Sequence, residues 1–295
     1  MNTGEQGFLL LTCPLGNPDR KPLTTAQFRT LAMRLSQSGK KLEQRELVPE
    51  DLIALGYDRT GAKRIVDLLE ETELLQRYLF RGKQRDCYPI SRVSEGYPAV
   101  VRKRLGLDAP GCLWAKGEPA LLSTPTVALV GSRDLREPNR EFAETVGKEA
   151  ARQGITLVSG NARGADRTAQ EACLEAGGRV ISIVADELQK YPLRRNVLYL
   201  SEEGYDLGFT GYRALNRNHV IHALGFITCI AQCTMGTGGT WDGTLKNLRN
   251  HWSPVFCFDD GSPAAAELEQ MGATLIPVEA LKDFSALQSN TISLL

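Results

Sequence analysis

The spacing of apolar residues changes partway along the chain. Over the first 80 residues they recur every three or four positions, and from Thr126 onward they come in short unbroken runs with amphipathic stretches between them. The first pattern marks helices; the second marks strands covered on both faces. In the first part, an apolar patch covers Phe8 to Leu11. Thr24 or Thr25 then caps a helix with Phe28, Leu31, Ala32 and Leu35 on one face, and Gly39 ends it. Pro49-Glu50-Asp51-Leu52 opens a short helix that Gly56 stops. A third helix runs from about Arg59 to Tyr78, with Ile65, Leu68, Leu69, Leu74 and Leu75 inward. Residues 1–80 therefore read as a small helical domain, SAM/helix-hairpin-helix-like. Its two short helices around a glycine turn suit either a DNA-touching hairpin or a packed adaptor. Residues 81–125 read as a linker and entry segment: polar to residue 95, forming either the linker or an edge strand, then a short helix opened by Tyr97-Pro98 and a small strand at Cys112 to Ala115.

Residues 126–295 alternate between the two patterns. Strands are expected at Thr126 to Val130, Ile155 to Val158, Arg179 to Val184, Phe226 to Ala231, Pro254 to Phe258 and Thr274 to Val278, with a short one at Tyr205 to Phe209. Helices are expected around Phe142 to Ala150, from Ala165 to Ala176, from Asn216 to Leu224, up to Asn250, from Ala264 to Met271 and from Ala280 to Leu287; residues 186 to 204 read as a polar loop. The fold class is α/β: a Rossmann-like, doubly wound parallel sheet of about six strands, preceded by the helical domain. Right-handed crossovers bring the strand ends to one edge, where exposed amides and helix N-termini attract anions.

Composition narrows the partners. Lys+Arg and Asp+Glu are 35 each, so the formal net charge is zero, and any contact with a nucleic acid must come from a local pocket. No apolar run has membrane-spanning length and the N-terminus lacks a leader pattern, so a cytoplasmic protein with no membrane contact is expected. The seven cysteines are scattered, which suits reduced buried thiols. Cys229 and Cys233, with His219 and His222, make too poor a ligand set for a metal, and neither a metal nor a cofactor is expected.

Three glycine-bearing turns fall at expected strand ends: Gly131-Ser132-Arg133, the stretch Ser159 to Asp166 with Gly160, Arg163 and Gly164, and the loop Met235 to Thr240 with Gly236, Gly238 and Gly239. Glycine lets a backbone come close to a phosphate, amides donate to it, and arginine adds charge and a fork of donors. Asp166 either caps a helix or positions Arg163. Arg217, Asn218 and His219 open a helix aimed at the same edge, with Asn218 as a candidate cap. There is no G-x-x-x-x-G-K-[ST], and the first turn lacks G-x-G-x-x-G, so nucleotide-hydrolase and dehydrogenase readings lose their support. No nucleophile stands beside a base in the sequence, and catalytic residues are not assigned.

These residues resemble the DNA-processing protein A family, also called DprA or Smf. The likeness rests on Val127 to Arg133, on Ser159 to Asp166 with Gly177-Gly178 behind it, on Tyr191-Pro192 with Asn196, and on Arg217-Asn218-His219-Val220-Ile221 with Ala223-Leu224. It covers about 97 to 260 in the right chain order, and Tyr97 to Leu122 fits that family's lead into its Rossmann-like domain. The resemblance implies a dimeric, single-stranded-DNA-binding recombination mediator that helps load a RecA-type recombinase. It puts Arg133 and Arg163 in a basic pocket shaped by Gly131, Ser132, Gly160 and Gly164 and flanked by Arg217 and Asn218.

The chain departs from that family's pattern in places. His219 stands where the family has an arginine, Thr237 to Trp241 replaces a small-residue segment, and a C-terminal winged helix is not expected. A regulator that senses a nucleotide or nucleic acid, or an antitoxin-like partner of an operon-encoded protein, fits these departures. The loop Gly236 to Gly243 is also similar to the phosphate loop of nucleoside-monophosphate phosphoribohydrolases, but Gly243 occupies the place of their catalytic glutamate and Asp242 is one position away.

Overall fold

The computed structural model describes residues 1–38 and 47–287. The chain starts with helix α1 (Thr3–Thr12), into which the Phe8 to Leu11 patch folds because Asn2 and Glu5 form a capping box ahead of it. Thr24 and Gln27 make a second box for α2 (Thr25–Gln37), and Pro49 sits at the N-terminus of α3 (Pro49–Ala54). The stop expected at Gly39 lies outside the described residues. The long helix expected over Arg59 to Tyr78 is two helices, α4 (Arg59–Glu70) and α5 (Thr72–Lys83). Glu71 leaves helical geometry between them, with ψ at 40°, and its carboxylate takes the side chain of Arg20. Arg20 is buried and also donates to the carbonyls of Cys13, Leu10 and Leu68. It ties the ends of α1 and α4 together at the point where the helix breaks.

One mainly parallel sheet follows. Its members in chain order are β1 (Tyr88–Ser91), α6 (Ala99–Leu105), β2 (Cys112–Gly117), β3 (Thr126–Val130), α7 (Glu137–Arg152), β4 (Thr156–Ser159), α8 (Ala165–Glu175), β5 (Arg179–Ile183), β6 (Val197–Glu202), α9 (Gly211–Asn216), α10 (Asn218–Leu224), β7 (Ile227–Ile230), α11 (Gly239–Asn250), β8 (Val255–Phe258), α12 (Pro263–Gln270) and β9 (Thr274–Ile276). The strand order is β1-β2-β6-β5-β4-β3-β7-β8-β9. The stretch from β6 to β9 is parallel throughout, and β2 joins β6 antiparallel, with β1 antiparallel beyond it. The sheet thus has nine strands where about six were expected. Two of the additional strands come from the segment leading in, and the third is β6. Residues 197–200 of β6 are buried, although the segment around them is polar. Tyr205 to Phe209 forms no strand: Tyr205 is buried against Tyr78 while Phe209 is 57% exposed.

The chain winds from β3 out to β6, then returns to β7 on the other side of β3. The switch point lies between β3 and β7, and crevices at such points open at the carboxyl ends of the strands. Helices α7 and α8 cover one face with Phe142, Val146 and Ala169, and α6, α10, α11 and α12 cover the other. The N-terminal helices have a core of their own around Phe28, Leu31, Leu52 and Ile65. A further cluster joins α1 and α5 to the sheet, with Leu9, Leu75 and Tyr78 packed on Trp114, Tyr199 and Tyr205.

Candidate functional site

A cavity of about 500 Å³ opens at the switch point. Its floor is the end of β3. Gly131 follows Val130 there, and a Cβ on it would stand 2.5 Å from the Cβ of Ala165 and 3.2 Å from that of Ala231. Only glycine lets the chain pass between α8 and β7. The amide of Ser132 then donates to the carbonyl of Gln232 at 2.8 Å, which folds the loop back over the strand end. Gly164 has φ of 85°, and a Cβ there would overlap the carbonyls of Ser132 and Arg133. The turn after β4 therefore rests directly on the turn after β3.

The opposite wall is the N-terminus of α11. Gly238, at φ 90°, precedes Gly239, and the Thr240 hydroxyl donates to the Gly131 carbonyl at 2.9 Å. The Asn218 amide donates to the Gly239 carbonyl at 2.9 Å. Asn218 thus braces the glycine loop and does not cap α10, whose N-cap position is held by Arg217. The remaining wall is α9, contributing Gly211, Ala214 and the exposed Leu215, while the exposed Tyr212 lines a separate cavity beside Thr12 and Phe28.

Of the residues singled out in the sequence, Gly131, Ser132, Arg133, Asp166, Arg217, Asn218, Gly238, Gly239 and Thr240 line this cavity. The others sit elsewhere. Ser159 is buried, and its hydroxyl accepts from Gln170 at 2.7 Å. Gly160 lies under the Arg217 guanidinium, and Gly236 stands on the outer turn of the loop. Arg163 is exposed and paired with Asp134 at 2.6 Å. His219 turns away from the cavity, its Nε2 3.8 Å from Glu202 and its ring near Trp252. Ala162 and Thr237, inside two of the glycine turns, line the cavity as well, as do Cys233, Thr234 and the α9 residues, of which Thr234 and the α9 residues carried no sequence signal of their own. The nearest trace was Thr210, which caps α9 by accepting from the Arg213 amide at 3.1 Å.

Electrostatically the cavity has an exposed cation, a buried ion pair and the N-terminus of α11. Arg133 is exposed at the rim. Asp166 and Arg217 are both buried, 3.7 Å apart. Burial raises the Asp166 pKa, against the pull of Arg217 and of the Ala162 and Gly160 amides. Burial likewise lowers that of Arg217, with Asp166 opposing it. Burial pushes the Cys233 thiol up to about 11, which keeps it protonated and unreactive at neutral pH. Asp166 is the one carboxylate in the lining among the described residues. This arrangement suits an anion held by the N-terminal amides of α11, the Ser132 hydroxyl and Arg133.

Residues 89–285 match the family described as DNA recombination-mediator protein A. The chain belongs to that family. It is 32% identical over 211 residues to DNA processing protein DprA of Bacillus subtilis strain 168, covering 67% of this chain and 70% of the relative. It is 29% identical over 204 residues to DNA processing protein DprA of Streptococcus pneumoniae R6, covering 65% and 68%. The X-ray structure of DprA from S. pneumoniae superposes with a TM-score of 0.71 at 23% identity, over 94% of this chain and 95% of that one. A Helicobacter pylori DNA processing protein A, described for its single-stranded DNA binding mode, gives a TM-score of 0.56 at 22% identity, over 70% and 96%. These two likenesses concern the fold. Family membership gives the chain a DNA-processing role, and no helix among the described residues is long and apolar enough to cross a membrane.

Proposed function

We propose that this protein binds single-stranded DNA in the cavity at the β3–β7 switch point, without catalysis, as a recombination mediator. The supporting observation is the lining itself. The N-terminus of α11 at Gly239-Thr240, the Ser132 hydroxyl and the exposed Arg133 meet at the cavity, and the one carboxylate in the lining among the described residues, Asp166, is ion-paired. Backbone amides and an arginine read phosphates and are indifferent to base identity, while the exposed Leu215 on α9 offers bases an apolar face. Hydrolysis has little support: Asp242 is exposed outside the lining, and Gly243 is buried against Asn218 and His222. Family membership, together with the single-stranded DNA binding of the H. pylori protein, favours DNA over a free nucleotide as the anion. Homodimerisation and the handing of the strand to a RecA-type recombinase rest on family membership alone.

Fluorescence anisotropy with a labelled single-stranded oligonucleotide at low salt tests the reading. The wild type should bind, and log K should fall with log salt by about 0.7 per phosphate contacted. Arg133→Ala combined with Arg163→Ala should weaken binding about tenfold or more, the worth of a charge-assisted hydrogen bond. A wild type that binds no better than this double variant ends the DNA reading. Competition by a nucleoside monophosphate at micromolar concentration would give the site to a sensed nucleotide instead.

A further inference from the structure

Arg217 lies at the back of the cavity, and its donors point into the protein. One terminal nitrogen donates to the carbonyls of Gly160, just past β4, and of Ile183, at the end of β5. The other stands 3.7 Å from Asp166. Its Nε is buried, out of reach of solvent, with no partner among the described residues. Asp166 in turn accepts from the Ala162 amide at 3.1 Å. Two residues further on, Gly164 presses against Ser132 and Arg133, and the Ala165 amide donates to the Ser132 carbonyl at 3.1 Å. A continuous set of contacts leads from Arg217, through the 160–164 turn, to the loop that carries Arg133.

Gly160 reflects the same constraint. Its φ lies outside the left-handed region, so its backbone would accept alanine, yet a Cβ there would overlap the guanidinium. An arginine tip ordinarily swings aside at little cost. This one is buried and held by two carbonyls and a carboxylate, so moving it strands polar groups inside the protein.

Taking the cavity as the DNA site, we infer that Arg217 is a positioning residue and not a phosphate contact: it sets the 160–164 turn and, through that turn, places the Ser132-Arg133 loop against the strand. Position 160 is glycine to admit the guanidinium.

Two measurements on the full chain test this. The first needs no DNA. Gly160→Ala should lower the thermal midpoint by roughly 2–4 °C in the wild type, equivalent to about 1 kcal/mol in a protein of this size. In an Arg217→Met background the same change should be neutral, because the space is free. An equal drop in both backgrounds overturns the coupling. The second uses a labelled oligonucleotide well below the midpoint, with circular dichroism confirming that each variant is folded. Arg217→Met should weaken binding at least about fivefold with the salt slope unchanged, whereas Arg133→Ala should lower the slope by about 0.7. A slope that falls by about 0.7 for Arg217→Met makes Arg217 a phosphate contact and overturns the inference, as does unchanged affinity. If the wild type binds no oligonucleotide while the Gly160 coupling holds, the DNA reading fails and the structural coupling stands.

Discussion

His222 sits in a buried polar cluster behind the cavity. Its Nδ1 lies 3.3 Å from the Thr228 hydroxyl and 3.2 Å from the Asn247 amide, and Ser253 closes the group. Burial, with the nearby His219, drives its pKa down to about 3. An unfolded histidine titrates near 6.5, so between those values the unfolded chain holds the extra proton. The stability this group contributes is fully present above pH 6.5 and is lost as pH falls toward 3. Urea unfolding should show a loss of about 2 kcal/mol between pH 7 and pH 5, shallower in His222→Gln. Identical slopes for the two proteins would show that His222 plays no part in the acid sensitivity. Single residues were the least legible level of the sequence. Arg133, Arg163 and Arg217 look alike as letters beside glycine turns. Only packing shows that the first is exposed at the rim, the second is paired with Asp134 and the third is buried under two strand ends. The role of Asn218 as a brace on Gly239 likewise depends on α11, 21 residues away.

Elements were more legible, for a physical reason. Strands β3, β4, β5, β7 and β8 are covered on both faces, so each is rich in apolar residues, with only small polar ones such as Ser182 and Thr228 between them. Strand β6 is as well buried, but its four apolar residues follow Arg194-Arg195-Asn196 in a segment that averages as polar. Helix breaks coincide with distant partners: Arg20 meets Glu71 at the first, and the step between α9 and α10 falls at the buried Arg217. The contact of α7 with α8 was also invisible in the pattern. It turns on Gly147, where a Cβ would overlap the Ala169 carbonyl. Gly147→Ala should part the two helices and cost about 1–3 kcal/mol in chemical denaturation, well beyond the few tenths by which alanine ordinarily improves a helix. A neutral or stabilising change would show that the helices separate freely.

At the level of the whole molecule, the α/β class, the doubly wound order and the helical start could all be read from the change of period. What the pattern did not show is how far the sheet extends back into the lead-in segment. Tyr78 of α5 stacks on Tyr205 with ring centroids 4.4 Å apart, meets Trp114 edge-on at 5.2 Å and donates to Asp206 at 2.5 Å. Helices and sheet share this cluster, so they should unfold in one transition. Tyr78→Ala should cost about 3–5 kcal/mol and shift the tryptophan fluorescence and circular dichroism transitions together. Transitions that separate would show two independent units.

The exposed ion pair of Arg163 with Asp134 has a consequence for strand length. Arg163 already has an anion, the Asp134 carboxylate, and the pair is exposed enough to be worth no more than about 1 kcal/mol. A phosphate that takes Arg163 sets Asp134 free, and the freed carboxylate then repels the next phosphate along the chain. The nucleotide next to the one held by Arg163 should therefore gain little, so affinity levels off where the strand reaches past this pair. In a series of oligonucleotides of increasing length, Asp134→Asn should keep gaining affinity after the wild type has levelled off, and parallel curves would show that the carboxylate plays no such part.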